Sequence, residues 1–252
     1  MNFNDKVVIV TGSSSGIGAA IAIKFSELGA KVALVGRNQN KLDNVAKKCN
    51  KPLVLIADMT KEEDVKRIIS ETVKHFGKLD ILINNAGIAQ FTNIMEENAI
   101  EIYNQVMATN LHSVVQLTHL AVPHIIKTKG NIVNISSISS LRVNAMIGFP
   151  YQTSKAALDH FTRSVASELA SSGVRVNSVN PGPVKTDIVG NMGKTKPEED
   201  AFWETIKVKT ALNRISDSEE IADLVSFLAS EKARGITGSI FFSDNGFLIK
   251  AD

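Results

Sequence analysis

The chain has 252 residues, 44% of them hydrophobic and 21% charged, with a formal net charge of +2. That composition fits a globular protein with a substantial core, and so small a net charge gives no footing for nucleic acid or an acidic membrane surface. The single cysteine, Cys49, excludes an internal disulfide and a cysteine-based metal cluster. No run approaches a membrane span, and the first residues lack a basic segment leading into an apolar stretch, so the expectation is a cytoplasmic protein without a metal.

Residues 7–10 are four β-branched residues in a row and predict a fully buried strand. Gly12, Gly16 and Gly18 follow at the spacing Gly-x3-Gly-x-Gly, and an apolar-periodic helix with Ile17, Ala20, Ile21 and Phe25 leads away from them. Strand, glycine turn and helix start bring backbone N–H groups and the positive end of a helix to one point, which suits a phosphate. Gly12 permits the tight turn, Gly16 a close approach to a pyrophosphate, and Gly18 tight packing of helix on strand. An ordinary βα turn rich in glycine would use the same residues.

Residues 31–35 predict the second strand and 40–48 a helix with Cys49 at its end. The third strand, 53–57, stops at Asp58. Residues 61–76 form an amphipathic helix with Val65, Ile68, Ile69, Val73 and Phe76 on one face. The fourth strand is 79–83. A long helical region runs from about 97 to 127, and Pro123 is expected to kink it. The fifth strand, 131–135, is followed by a helix over 151–171 and a sixth strand over 174–179. Residues 184–215 read as irregular, Asp217 caps a helix through Leu228, and 239–242 is the last strand.

Alternation of helices with apolar strands predicts an α/β fold. The expected architecture is a Rossmann-like, doubly wound parallel sheet of about seven strands, with helices on both faces, in one domain over 1–252. Ligands of such sheets bind beyond the carboxyl ends of the strands, so the residues just after each strand carry the functional information.

After the second strand comes Gly36-Arg37-Asn38. An NAD-binding unit carries an Asp or Glu here for the ribose 2′-OH. Its absence, with a guanidinium beside it, matches the 2′-phosphate of NADP. Asp58 can accept from an adenine amino group or cap the helix that begins near Lys61, and both readings stand. Asn84-Asn85-Ala86-Gly87 after the fourth strand suits either a turn or the close approach of a flat ring. Ser136-Ser137 follows the fifth strand, and Tyr151 and Lys155 share one helix face at i, i+4. An ammonium beside a phenol favours the phenolate and brings it toward useful proton transfer.

Thr11-Gly12-x3-Gly16-x-Gly18, Asn84-Asn85-Ala86-Gly87, Ser137, Tyr151-x3-Lys155 and Asn180-Pro181-Gly182 occur together and in order. On these residues the whole chain resembles the short-chain dehydrogenase/reductase family, in its single-domain branch. The resemblance implies that Tyr151 is the general acid/base and that Lys155 binds the nicotinamide ribose and lowers the tyrosine pKa. It implies that Ser137, preferred over Ser136, polarises the carbonyl, and that Asn110 kinks its helix and holds a proton-relay water. The implied cofactor set is Gly12, Ser14, Ser15, Gly16, Ile17 and Gly18 in the first turn; Arg37, Asn38 and Asp58 at the adenosine end; then Asn85, Ala86 and Gly87. Tyr151, Lys155, Pro181, Gly182, Val184 and Thr186 complete it. The gap from Ser137 to Tyr151 is one residue longer than the commonest family spacing and predicts a bulge in the loop between them. Asp244-Asn245-Gly246 departs from the family's Asp-Gly-Gly and puts the local turn in doubt.

The reading is therefore an NADP(H)-dependent oxidoreductase, preferring NADP(H) over NAD(H), for a ketone or secondary alcohol. The competing reading is a non-catalytic dinucleotide-binding sensor or interaction protein. Leu141, Met146, Phe149, Ile188, Phe202 and Trp203 give the substrate side an apolar character, so a steroid-like or 3-oxoacyl substrate is expected beneath a mobile lid over 187–212. Phe202 and Trp203 would serve equally to pack a lid helix. The long helices carry more apolar residues than one sheet face needs, and with the family's habit predict a homotetramer or dimer, with the tail 247–249 at a second interface.

Overall fold

The computed structural model describes residues 1–143, 147–186 and 195–250, Glu199 by its backbone alone. Seven strands form one sheet: β1 (Val7–Thr11), β2 (Lys31–Gly36), β3 (Leu53–Ile56), β4 (Ile81–Asn84), β5 (Asn131–Ile135), β6 (Arg175–Pro181) and β7 (Ile240–Ser243). Their order is β3-β2-β1-β4-β5-β6-β7, and every pairing is parallel. The expected doubly wound sheet is present.

Strand alternation divides the core in two. Val8 and Val10 face one layer, where Ile21 and Phe25 of α1 (Gly16–Glu27), Leu42 of α2 (Gln39–Ala46) and Val225 of α8 (Ser218–Ala229) pack on the sheet. Val7 and Ile9 face the other. That layer holds Ile68 of α3 (Glu62–Phe76), Leu117 and Ile125 of α5 (Ser113–Thr128), and Val165 of α6 (Phe149–Leu169). Each fully buried Val, Ile or Leu contributes about 1.5–3 kcal/mol. The chain turns to β2 on one side of β1 and reaches β4 on the other, so the strand order reverses at their carboxyl ends. That is where such folds hold ligands.

Two expectations need correction. The region 97–127 is two helices, α4 (Ala99–Met107) and α5, joined by one π-helical turn over Ala108–His112. Pro123 sits within α5 without ending it. The interruption lies at Asn110, whose side chain takes both backbone partners of Ile88: Oδ1 accepts from its N–H at 2.8 Å and Nδ2 donates to its carbonyl at 2.9 Å. Such tertiary bonds hold an extra residue in the helix. Within 184–215, expected to be irregular, residues Lys196–Lys207 form helix α7. A capping box starts it, with the Thr195 N–H donating to Glu198 Oε2 at 2.7 Å. The Thr-x-x-Glu spacing was the readable signal. The loop bulge expected after Ser137 falls partly on 144–146, and the lid partly on 187–194, both outside the described residues. No described helix is long and apolar enough to cross a membrane.

Candidate active site

At the end of β1, Gly12 and Gly16 take positive φ, +66° and +55°, a conformation an L side chain strains to adopt. Buried Thr11 ties the turn to β4: its Oγ1 donates to Ile83 O at 3.3 Å and accepts from the N–H groups of Asn85 and Ala86, each at 3.0 Å. Asn85 lines the cleft, and its amide also bonds the turn, donating to Thr11 O at 2.8 Å and Gly12 O at 3.2 Å. Helix α1 opens at Ser15 with no side-chain cap. Its first-turn N–H groups therefore stand at the cleft without a cap from the Ser15 side chain, a ready anion site. Ser14, Ser15, Ile17, Gly18, Ala86 and Gly87 all line this end.

Arg37 is exposed on the cleft wall beside Gly36. Asn38 is the N-cap of α2, accepting from Lys41 N at 3.0 Å, so its side chain already has a structural task. Asp58 lines the cleft and also organises the chain before α3: it accepts from Thr60 N at 3.0 Å and Thr60 Oγ1 at 2.8 Å. The Thr60 N–H, then its hydroxyl and the nearby Arg37 and Lys61 cations, hold its carboxyl below the usual range.

Beyond β5 the two serines diverge. Ser136 donates to the Lys155 carbonyl at 3.2 Å and so pins α6 to the sheet. Ser137 accepts from Ser139 N at 3.1 Å and lines the cleft together with Tyr151. Tyr151 and Lys155 lie one turn apart on α6, facing the cleft. Lys155 Nζ donates to Ile135 O at 2.8 Å and sits 5.6 Å from the centre of the Tyr151 ring. Burial lowers the Lys155 pKa from 10.5 to about 8, against the opposing field of Asp159. Burial also raises Tyr151 above its ordinary value, with the Ser137 hydroxyl opposing it. The expected lowering of the tyrosine by Lys155 is thus not what this cleft produces by itself, because desolvation of the phenolate is the larger effect.

Asn110 is fully buried and joins the Ile88 backbone to α6, its Nδ2 donating to Ser154 Oγ at 3.1 Å. It does not line the cleft, whereas its neighbour Thr109 does. A network that the sequence did not reveal lies one turn behind Lys155. Buried Asp159 accepts from Asn180 Nδ2 at 2.8 Å, and the same amide donates to Ser137 O at 3.1 Å and Ser140 Oγ at 3.0 Å. The i+4 spacing from Lys155 to Asp159 was a signal; the partner on β6 was not.

The cleft has a volume of ≈ 590 Å³ and runs from the glycine turn past Tyr151 to an apolar end. Pro181, Gly182, Val184 and Thr186 line its side. Phe202 and Trp203 of α7, in edge-to-face contact at 5.2 Å, wall the far end with Ile206. Phe247, expected at an oligomer interface, is buried in this wall instead. The turn before it is held by Asp244, which accepts from Gly246 N and Leu248 N, both at 2.9 Å. Asn245 takes φ +52° in that turn, so asparagine fills a position where glycine would be unstrained.

The uncapped start of α1, the glycine turn and the long cleft fit a nicotinamide dinucleotide, with its pyrophosphate on the helix start. Fold and site therefore define a Rossmann-type α/β protein with a serine–tyrosine–lysine constellation at the switch point. A family model described as enoyl-(acyl carrier protein) reductase matches residues 12–248. L-fucose dehydrogenase of Bos taurus is 35% identical over 226 residues, 90% of this chain and 83% of that protein. Meso-2,3-butanediol dehydrogenase of Serratia marcescens is 35% identical over 98% of this chain and 96% of its own. The crystal structure of L-sorbose reductase from Gluconobacter frateurii, complexed with NADPH and L-sorbose, has a TM-score of 0.92 at 30% identity, covering 100% of this chain and 99% of that one. The chain belongs to the short-chain dehydrogenase/reductase family, oxidoreductases of CH–OH and C=O groups that use nicotinamide cofactors.

Proposed function

We propose that the protein is an NADP(H)-dependent cytoplasmic oxidoreductase that interconverts a ketone and a secondary alcohol. The observation that carries this is that Ser137, Tyr151 and Lys155, the last buried one turn behind the tyrosine, line one cleft continuous with the glycine turn. When bound, the nicotinamide supplies a hydride to the carbonyl carbon or removes it from the alcohol carbon. Ser137 and Tyr151 donate to the substrate oxygen, where negative charge grows during reduction. Tyr151, kept protonated by burial, then gives that oxygen its proton and recovers one from Lys155 or solvent. Lys155 donates one N–H to Ile135 O, which leaves two for ribose hydroxyls and for the field at the phenol. Asn110 holds α6 against the Ile88 backbone and so fixes the spacing of the pair.

Arg37 supports NADP(H): it is an exposed cation on the wall beside Gly36, where a carboxylate would repel the 2′-phosphate. Apolar walls favour an apolar ketone. A second reading, a polyhydroxylated substrate, draws support from the relatives named for fucose, butanediol and sorbose.

The test is turnover of a panel containing alkyl ketones, steroids, 3-oxoacyl esters, diols and sugars, with NADPH and NADH. Tyr151→Phe is expected to lower kcat by about 10²–10⁴-fold while cofactor binding, read by NADPH fluorescence, persists. Undiminished turnover would remove Tyr151 from the mechanism. A protein that binds cofactor but turns over nothing would favour the sensor reading. Arg37→Asp is expected to weaken NADPH tenfold or more, about 1.4 kcal/mol, and to leave NADH alone; equal effects on both would refute the preference.

A further inference from the structure

The apolar end of the cleft contains one feature that a purely apolar substrate does not use. Ile138, Phe202, Trp203, Ile206 and Phe247 wall it with carbon, and Arg142 lines the cleft among them. Asp58 is the sole acidic residue among the described lining residues, and it lies at the opposite end, within the field of Arg37. Among the described residues the substrate end therefore presents a cation without a compensating carboxylate.

That cation is held in place. Arg142 Nη1 donates to the Phe247 carbonyl at 2.9 Å, and the guanidinium carbon stands 4.7 Å from the centre of the Phe247 ring. Phe247 is itself fixed by the Asp244 turn and buried. A guanidinium carries five N–H donors, and among the described residues the Nη1 bond is the one that this guanidinium makes. Stacking on an aromatic face pre-orients the planar fork, so little further entropy is lost when it meets an anion. An Arg beside a carbon-lined wall matches a ligand whose anionic group and apolar skeleton are joined.

We propose that Arg142 is an anion anchor. The substrate is then a ketone or secondary alcohol on an apolar skeleton that ends in an anionic group, carboxylate or phosphate. This rests on the cleft being the substrate site proposed above, and it narrows the substrate class there. Its rival is that Arg142 simply ties the Phe247 turn to the body.

Trp203 is the sole tryptophan of the chain and lines the same wall, so its fluorescence reports binding without turnover. Titration with hexanoate, hexyl phosphate and 1-hexanol separates charge from carbon. Both anions are expected to bind at least tenfold tighter than the alcohol, with the advantage shrinking as salt rises. If one anion alone has the advantage, it identifies the group. Arg142→Gln is expected to erase the advantage and leave the alcohol unchanged, while Arg142→Lys keeps part of it. In turnover, Arg142→Gln should raise KM for an oxo acid and not for its methyl ester. Equal binding of all three probes, no saturable binding of any, or an equal loss for acid and alcohol in Arg142→Gln overturns the proposal; the last outcome marks a tether. Saturable anion binding by a protein that reduces no carbonyl compound would instead count against the oxidoreductase reading and leave the anchor standing.

Discussion

Lys155 carries its ammonium into a site where 4% of the residue is exposed and Ile135 O is its hydrogen-bond acceptor. The unfolded chain keeps that proton up to the ordinary 10.5, whereas the folded protein releases it near 8. Between these values the unfolded state binds more protons, so this group makes stability rise with pH; below pH 8 the folded protein bears the full cost of the buried charge, about 3 kcal/mol. The unfolding free energy of the wild type relative to Lys155→Met is therefore expected to climb by up to about 3 kcal/mol from pH 7.5 to 10, read from urea midpoints. A flat difference would show that the ammonium is not desolvated. Tyr151, with its raised pKa, acts in the opposite direction above pH 10, and it is common to both proteins. At this scale the sequence pointed to Tyr151, Lys155 and Ser137, which line one cleft, because their spacing and strand-end positions are local. It did not identify Asp159 or Arg142. The partners of these two are Asn180 on β6 and Phe247 near the tail, 21 and 105 residues away, and nothing local announces either pairing.

The β1–turn–α1 unit shows what an element requires of single residues. A Cβ on Gly18 would lie 2.3 Å from the Gly12 carbonyl oxygen and 2.4 Å from Asn85 Nδ2. Helix and turn would have to separate, and overpacking of this kind costs about 1–3 kcal/mol. Gly18→Ala is expected to lower the unfolding free energy, read from urea titration, by that amount and to weaken NADPH binding, while Gly235→Ala, with nothing within 4 Å of its Cβ, leaves both unchanged. Equal behaviour of the two variants would refute the close-packing role. The elements misread from the sequence have identifiable causes. Pro123 was expected to kink the helix because proline lacks an N–H, but α5 accommodates it; the break falls at Asn110, where the resemblance placed a kink, and the π turn follows from bonds to Ile88. Helix α7 was hidden by a polar, lysine- and glutamate-rich stretch whose apolar residues face a cleft rather than the main core.

The whole molecule leaves apolar side chains uncovered. Val115 and Ile126 are exposed on α5, and Phe242 is exposed on β7, which forms one edge of the sheet. An open edge with an exposed aromatic residue is normally protected, and family members are commonly oligomeric. Light scattering is expected to give two or four times the 27.2 kDa of one chain, and Phe242→Asp to reduce that mass. A monomer at micromolar concentration would refute the expectation.

Alternating apolar strands and amphipathic helices determined the layers of this protein, because a strand buried on both faces and a helix buried on one each carry a local pattern. Glycine spacing and the Tyr151–Lys155 step determined the two ends of the site for the same reason: turn geometry and helical pitch are short-range. Tertiary structure alone decided the strand order that joins those ends in one cleft, and the burial that raises Tyr151 against the expected effect of Lys155. It also brought Arg142 onto Phe247. Desolvation and long-range contact depend on which distant segments meet, and that is settled only when the whole chain packs.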